Sequence, residues 1–241
     1  MTHPFLRRPG TSPRRLFYFP NWLPAFLAAI AIALAGHAAA GTDTLPSERV
    51  LVTDVVDGDT IKVLRGRRQE TVRLIGVDTP ETGRPDTPVQ FYGPEASLYT
   101  RRSLLEQRVR LEFEPHDRAG GSRDKYQRTL AYVFTDDGRN FALELIDQGF
   151  GRAYTRYPFR YEQAFKKAEL GARAAGRGLW NKAKHAEWSD PKLRGKVIGN
   201  IRTNIYHVPG QRYYGSIGEK NRIYFPTEEE AQQAGFRKAK N

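Results

Sequence analysis

The sequence predicts an α+β fold followed by a small C-terminal module, and three patterns carry that reading. Val109, Leu111 and Phe113, and again Leu130, Tyr132 and Phe134, alternate with other residues at the period of half-buried strands. Tyr161, Ala164, Phe165, Ala168 and Ala172 recur at the spacing of one helix face. Asp57-Gly58-Asp59, Arg65-Gly66-Arg67 and Asp136-Asp137-Gly138 punctuate the chain where strands must reverse.

Taken in order, Val50 to Val56 is rich in β-branched residues and reads as a strand that turns at Asp57 to Asp59 into a second, Thr60 to Leu64. The third runs from Glu70 to Val77, with Val72 and Leu74 on one face and Arg73 on the other. An arginine on the inner side of a curved sheet needs an anionic partner, either a carboxylate or a ligand. Gly83 to Gly93 lacks apolar periodicity and reads as a loop. Pro94 suits the first turn of a helix reaching about Gln107, with Ala96, Tyr99 and Leu105 buried. A charged loop, His116 to Arg128, separates the two alternating strands. Phe141 to Gln148 forms a short helix closed by Gly149, and the helix from Tyr161 stops near Gly176 and Gly178. Trp180 is expected to plug the core.

The 241 residues carry a formal charge of +12. Residues 1–40 hold four arginines and no acids, so the remainder keeps 35 basic against 27 acidic residues, a net +8. Such a surface attracts polyanions, nucleic acid before acidic membrane. Without cysteine there is neither a disulfide nor a thiolate metal site. Basic residues up to Arg15, an apolar run from Trp22 to Ala35 and Ala38-Ala39-Ala40 read as a secretory signal, residues 1–40, cleaved after Ala40 to give a periplasmic or secreted protein. The apolar run falls short of the roughly 20 residues of a membrane span, which leaves an uncleaved anchor as the alternative. Residues 41–48 form a linker, 49–182 the main domain, 183–196 a polar link and 197–241 the small module.

The chemistry concentrates between Asp57 and Glu81. Asp57, Asp59, Asp78 and Glu81 with Arg73 place four carboxylates and one guanidinium at turns and strand ends. Carboxylate oxygens suit a hard cation such as Ca²⁺, and the arginine fork beside them suits phosphate. Metal with phosphate suggests phosphodiester chemistry, whereas Asp-Gly-Asp by itself is equally an ordinary hairpin turn.

Six stretches, in order, resemble the staphylococcal (thermonuclease) nuclease family over roughly Val50 to Asn181: Val56-Asp57-Gly58-Asp59-Thr60, Val72-Arg73-Leu74, Val77-Asp78-Thr79-Pro80-Glu81-Thr82, Tyr92-Gly93-Pro94-Glu95-Ala96, Asp124-Lys125-Tyr126-Gln127-Arg128 and Gly178-Leu179-Trp180. The resemblance implies a five-stranded OB-fold β-barrel with three helices. It implies Asp59, Asp78 and the main-chain carbonyl of Thr79 as Ca²⁺ ligands, with Asp57 and Glu81 acting through waters. Glu81 would deprotonate the attacking water, while Arg73 and Arg128 grip the phosphate. Lys125, Tyr126, Tyr154 and Tyr157 match positions around the terminal phosphate and base. The activity implied is Ca²⁺-dependent cleavage of DNA and RNA with little sequence specificity, leaving 3′-phosphates, by a monomer with no stable membrane association once processed. The alternative is a non-catalytic OB-fold nucleic-acid-binding protein, as in tudor-linked relatives that have lost the acidic and arginine positions kept here. One departure is Gln127, where the family usually has glycine.

In the C-terminal stretch Ile205-Tyr206-His207, Tyr213-Tyr214 and Ile223-Tyr224-Phe225 read as short strands, and Thr227-Glu228-Glu229-Glu230 as a capping box opening a helix to Gly235. This stretch resembles small zinc-binding modules found behind some nuclease domains and in a DNA methyl-phosphotriester repair protein. Gln211 stands where that pattern has its first cysteine, so the metal site is expected to be lost and His207 to be an ordinary polar residue. The aromatic and basic residues of the module suit either nucleic-acid stacking or a minimal core.

Overall fold

The computed structural model describes residues 47–82, 89–115, 122–189 and 196–240. The expected signal segment, the start of the linker after it, and parts of the expected loops Gly83 to Gly93 and His116 to Arg128 and of the expected polar link lie outside those residues.

Five strands close a barrel in the order β1-β2-β3-β6-β5. β1 is Ser47–Asp57, β2 Thr60–Arg65 and β3 Arg68–Leu74, joined by tight turns. β1 opens two residues inside the stretch expected as linker. It pairs with β5 through its first half and with β2 through its second, and register shifts at Val52/Asp54 and Val55/Asp57 bend it between the two neighbours. After β3 comes the short strand β4, Val77–Asp78, then helix α1, Gly93–Leu104. β5 is Arg108–Glu112 and β6 Thr129–Phe134; β6 runs parallel to β3 and closes the barrel.

Helix α1 ends three residues before Gln107. The Glu106 N–H donates to Val52 O at 3.0 Å and the Val52 N–H to Gln107 O at 2.9 Å, so the bend in β1 draws this segment out of the helix. Leu104, rather than the expected Leu105, is therefore the buried residue at its end, beside Ala96 as expected, while Tyr99 is half-buried. Helix α2, Phe141–Asp147, is capped by Asn140, whose side chain accepts from the Leu143 N–H. A two-residue strand β7, Arg152–Ala153, pairs with β4, and helix α3, Glu162–Ala174, follows. Phe165 and Ala172 are buried on α3, but Ala164 is exposed, so the buried stripe is narrower than the spacing predicts. Val50, Val52, Ile61, Val72, Leu111, Phe141, Leu145 and Phe165 form one core inside the barrel and beneath the helices.

Trp180 does not plug that core. The Leu179 N–H donates to Gly149 O at 2.9 Å, and Gly178 lies so close to Gly149 that a Cβ would fall 2.2 Å from its carbonyl oxygen. This clamp turns Leu179 inward. Trp180 lies half-buried outside that core, between the guanidinium groups of Arg173, 4.1 Å from a ring centroid, and Arg152, at 5.4 Å.

Lys182–Ser189, expected as a link, is the two-turn helix α4, with no buried residue. Its His185 meets the Phe91 ring edge-on at 4.9 Å. Beyond it β8, Val197–Asn200, β9, Ile205–His207, β10, Arg222–Phe225, and β11, Arg237–Lys238, form a sheet in the order β10-β8-β9-β11, with helix α5, Glu228–Gln233, before the last strand. The Thr227 hydroxyl accepts from the Glu230 N–H, as the capping box predicts. Tyr213 and Tyr214 sit in turns, not a strand.

Leu98 of α1 packs into the core of this module with Val197, Tyr206, Ile223, Phe225 and Phe236, and burying one leucine contributes about 2 kcal/mol. Arg102, one turn on, donates to Ala234 O and lies over the Phe236 ring. Gln211 accepts from the Val208 N–H at 3.0 Å and donates to Ala239 O at 3.3 Å, so an amide joins the two chain segments at that place.

Candidate active site

The β1–β2 turn carries the first two carboxylates, and its tightness depends on Gly58. A Cβ there would lie 2.7 Å from Thr79 Oγ1 and 2.9 Å from the Ala96 Cβ, so only glycine lets the turn close against both. The Thr100 hydroxyl of α1, fully buried, donates to Gly58 O at 2.6 Å and fixes the turn from below.

Asp59 is 4% exposed and saturated with donors. Its Oδ2 accepts from the Thr79 N–H at 2.8 Å and the Thr79 hydroxyl at 3.0 Å, and lies 2.7 Å from Arg73 Nη1; its Oδ1 accepts from the Thr60 hydroxyl at 3.0 Å. Arg73 stands opposite Thr60 in the β2–β3 register and points away from its core neighbours Val72 and Leu74, the orientation predicted from alternation. Its second arm, Nη2, reaches Asp78 Oδ1 at 3.0 Å, and Nη1 also donates to Val77 O at 2.9 Å. Asp78 is half-exposed, facing the cleft.

One guanidinium thus serves a crowd of acids. Burial, then the charge of Asp59, pushes the Asp57 carboxyl up to about 7, and the same two causes raise Asp78. Asp59 and Asp78 with the neighbouring Thr79 carbonyl offer oxygen donors only, the chemistry Ca²⁺ takes, and the crowded negative charge is what a divalent cation relieves. Among the described residues no group of three or more His, Cys, Asp or Glu side chains could hold a metal ion, so other oxygens, such as a main-chain carbonyl or water, would have to complete any such set.

Glu81 follows β4. Its N–H donates to Gln90 Oε1 at 3.0 Å and its carbonyl accepts from the Gln90 N–H at 2.9 Å, so the base of the loop is pinned. Gly93 makes this possible, since a Cβ there would fall 2.6 Å from Glu81 O.

The second arginine comes from a different wall. Asp124 organises the turn before β6: its Oδ1 accepts from the N–H groups of Tyr126 at 2.9 Å and Arg128 at 3.0 Å, while its Oδ2 lies 2.7 Å from both Arg128 Nε and Nη2. Arg128 Nη1 then donates to the Thr60 hydroxyl at 3.3 Å. Burial would raise the Asp124 carboxyl, but the Arg128 hydrogen bonds and charge outweigh it and hold it below the usual range. Gln127 sits between them at φ +64°, the left-handed region where glycine is free of strain.

Asp59, Arg73, Asp78, Glu81, Lys125, Tyr126, Arg128, Tyr154 and Tyr157 all line one cleft of about 830 Å³. Asp57 and Thr79 lie buried just behind it. Tyr126 is 58% and Tyr157 64% exposed, with Lys125 and Arg128 over the Tyr126 ring and Arg156 over that of Tyr157. Sequence reasoning missed Asp124 and Thr60 as the residues that hold Arg128, although the Asp124 to Arg128 spacing of four was visible. It missed Arg156 and Glu114 on the cleft wall, for which the sequence carries no local signal.

Residues 71–182 match the family model described as staphylococcal nuclease homologue, and residues 182–238 match a second, ArfC. The thermonuclease of Staphylococcus hyicus is 39% identical over 143 residues, 59% of this chain and 81% of that protein. The thermonuclease of Staphylococcus intermedius is 46% identical over 127 residues, 51% of this chain and 72% of that protein. Endonuclease YncB of Bacillus subtilis (strain 168) is 37% identical over 150 residues, 60% of this chain and 69% of that protein. A closed barrel with paired carboxylates and arginines at its mouth, and identity at this level along most of the thermonucleases' length, place the chain in the staphylococcal nuclease family.

Proposed function

We propose that this chain is a nuclease that hydrolyses phosphodiester bonds inside DNA and RNA, requires Ca²⁺, reads little sequence and leaves 3′-phosphates. Membership of the family supports the hydrolytic nuclease, and one observation supports a site for a cation and a phosphate together. Arg73 bridges Asp59 and Asp78 at 2.7 and 3.0 Å on the wall of a cleft that Arg128 also enters. A guanidinium held between two hard-oxygen donors is what a site for both a cation and a phosphate needs.

Ca²⁺ held by Asp59, Asp78 and the Thr79 carbonyl, with Asp57 behind them, would supply positive charge at a phosphate oxygen. Glu81 orients a water and takes its proton as the oxygen attacks phosphorus. Arg73 and Arg128 donate to the non-bridging oxygens as their charge grows, and the bond from phosphorus to the 5′ oxygen breaks, that oxygen taking a proton from solvent water to leave as a hydroxyl. Lys125 and Tyr126 flank the reacting phosphate, and Tyr154 and Tyr157 offer flat faces to a base. Recognition through phosphate and stacking tolerates any base and either sugar.

Residues 49–182 are read as the nuclease domain and 197–241 as a module added to it. The protein acts as a monomer after export and cleavage behind Ala40. Among the described residues no helix is long and apolar enough to cross a membrane. Incubating the mature chain with plasmid and with RNA, in Ca²⁺ and in chelator, tests the function. Cleavage of both substrates only with Ca²⁺ is expected. Full activity in chelator contradicts it, and binding without cleavage under any divalent metal favours a non-catalytic OB-fold module.

A further inference from the structure

The C-terminal module and the nuclease domain line a second cavity, of about 220 Å³, whose walls carry Lys62 from β2, Arg101 from α1, and Arg202 and Lys220 from the module. One carboxylate, Asp54, stands against these four cations. It pairs with Arg101 Nη2 at 3.1 Å, so a charge of about +3 is left over. Lys62, Arg202 and Lys220 have no ion pair among the described residues. The Arg101 side chain is only 12% exposed, and its Nε is buried with no hydrogen-bond partner among the described residues. A buried donor of that kind costs stability unless a ligand or water meets it. The volume leaves room for a tetrahedral anion and a few waters, each taking about 30 Å³.

The cavity is continuous along the chain with the proposed active site. Val56 on its wall directly precedes Asp57, and Thr82 on its wall directly follows Glu81. Val56 is 47% exposed, apolar area beside a basic hollow. We propose that this cavity binds a phosphate of the same nucleic-acid strand whose scissile phosphate lies at Arg73 and Arg128, so that the C-terminal module lengthens the substrate site. The proposal rests on the nuclease reading. The module's role then is to select longer strands: Arg202 and Lys220 supply charge that the barrel alone lacks, and Arg101 supplies the fixed donor.

The test is binding of labelled single strands of about 4 and about 16 nucleotides, the range covered by OB folds, to the full mature chain in chelator, as a function of salt. Arg202→Ala with Lys220→Ala removes two exposed charges that form no ion pair among the described residues, Arg202 acting on Asp54 only at longer range. Arg67→Ala with Arg68→Ala, at the far β2–β3 turn, removes the same charge elsewhere. The first pair is expected to weaken the longer strand about tenfold and to flatten its log–log salt slope by about 0.7, the value for one lost phosphate contact, with the short strand unchanged. The second pair is expected to shift both lengths little and equally. Equal losses in both double variants, or no loss at either length, overturn the proposal. So does thermal stabilisation of the wild type by inorganic phosphate, lost in the first variant, without any length effect, which would assign the cavity to a free anion. Because binding is read without turnover, failure of the nuclease reading shows separately as absent cleavage in Ca²⁺.

Discussion

The two arginines of the cleft are held by opposite means. Arg73 rises from a barrel strand into two acids, Asp59 and Asp78, while Asp57 crowds Asp59 from behind; the group is largely buried and overloaded with negative charge. Arg128 stands on a turn where one acid, Asp124, serves both its backbone and its side chain, with the Thr60 hydroxyl beside it. The first arrangement couples fold to charge balance; the second is a local clamp that can loosen without disturbing the barrel. In the proposed reaction Arg73 therefore serves structure and chemistry together, and Arg128 mainly chemistry.

Arg73→Ala breaks this difference most severely. It leaves a buried carboxylate unpaired, at a cost of about 3–5 kcal/mol, so calorimetry should show a large fall in Tm alongside lost cleavage. An unchanged Tm would mean that the hydrogen bonds from Thr60 and Thr79 already stabilise Asp59 without the guanidinium. Asp124→Asn keeps the turn's shape but removes the charge that aims Arg128; cleavage rate is expected to fall about tenfold, with a fall in Tm smaller than that of Arg73→Ala, in line with one charge-assisted hydrogen bond.

The same clamp has a pH signature. The Asp124 carboxyl is depressed in the fold, so its stabilisation is complete above the unfolded value of about 3.9 and is lost as pH falls through the lower folded value. The stability difference between wild type and Asp124→Asn, measured by denaturant titration, should be constant near neutrality and shrink below about pH 4. Gln127→Gly is the mildest change. It relieves a left-handed φ of 64°, worth up to about 1 kcal/mol against the greater freedom of an unfolded glycine, and should leave the rate intact. Slower cleavage would show that the glutamine side chain stiffens the approach of Arg128.

The two walls were not equally legible in the sequence. Alternation around Val72 and Leu74 placed Arg73, and the Asp-Gly-Asp turn placed Asp57 and Asp59, because strand period and turn chemistry are local. The closed barrel needed the parallel pairing of β3 with β6, a contact between distant segments that no local pattern encodes. Trp180 was misplaced for a similar reason: its direction is set by the close approach of Gly178 and Gly149, which periodicity does not register. Helix α4 went unseen because it buries nothing and so has no apolar stripe. The joining of the C-terminal module to α1 through Leu98 and Arg102 was equally hidden, since both read as ordinary helix positions.

The central claim is that Arg128 acts on the transition state and not on substrate binding. The most direct measurement is kcat together with Kd for one oligonucleotide at one fixed salt, comparing wild type with Arg128→Ala. Removing one charge-assisted grip should lower kcat about 10²- to 10³-fold, while Kd moves by less than about threefold because the remaining basic surface supplies the attraction. If Kd weakens in step with the rate, or the rate stays at the wild-type value, the cleft is a binding surface and the catalytic assignment is wrong.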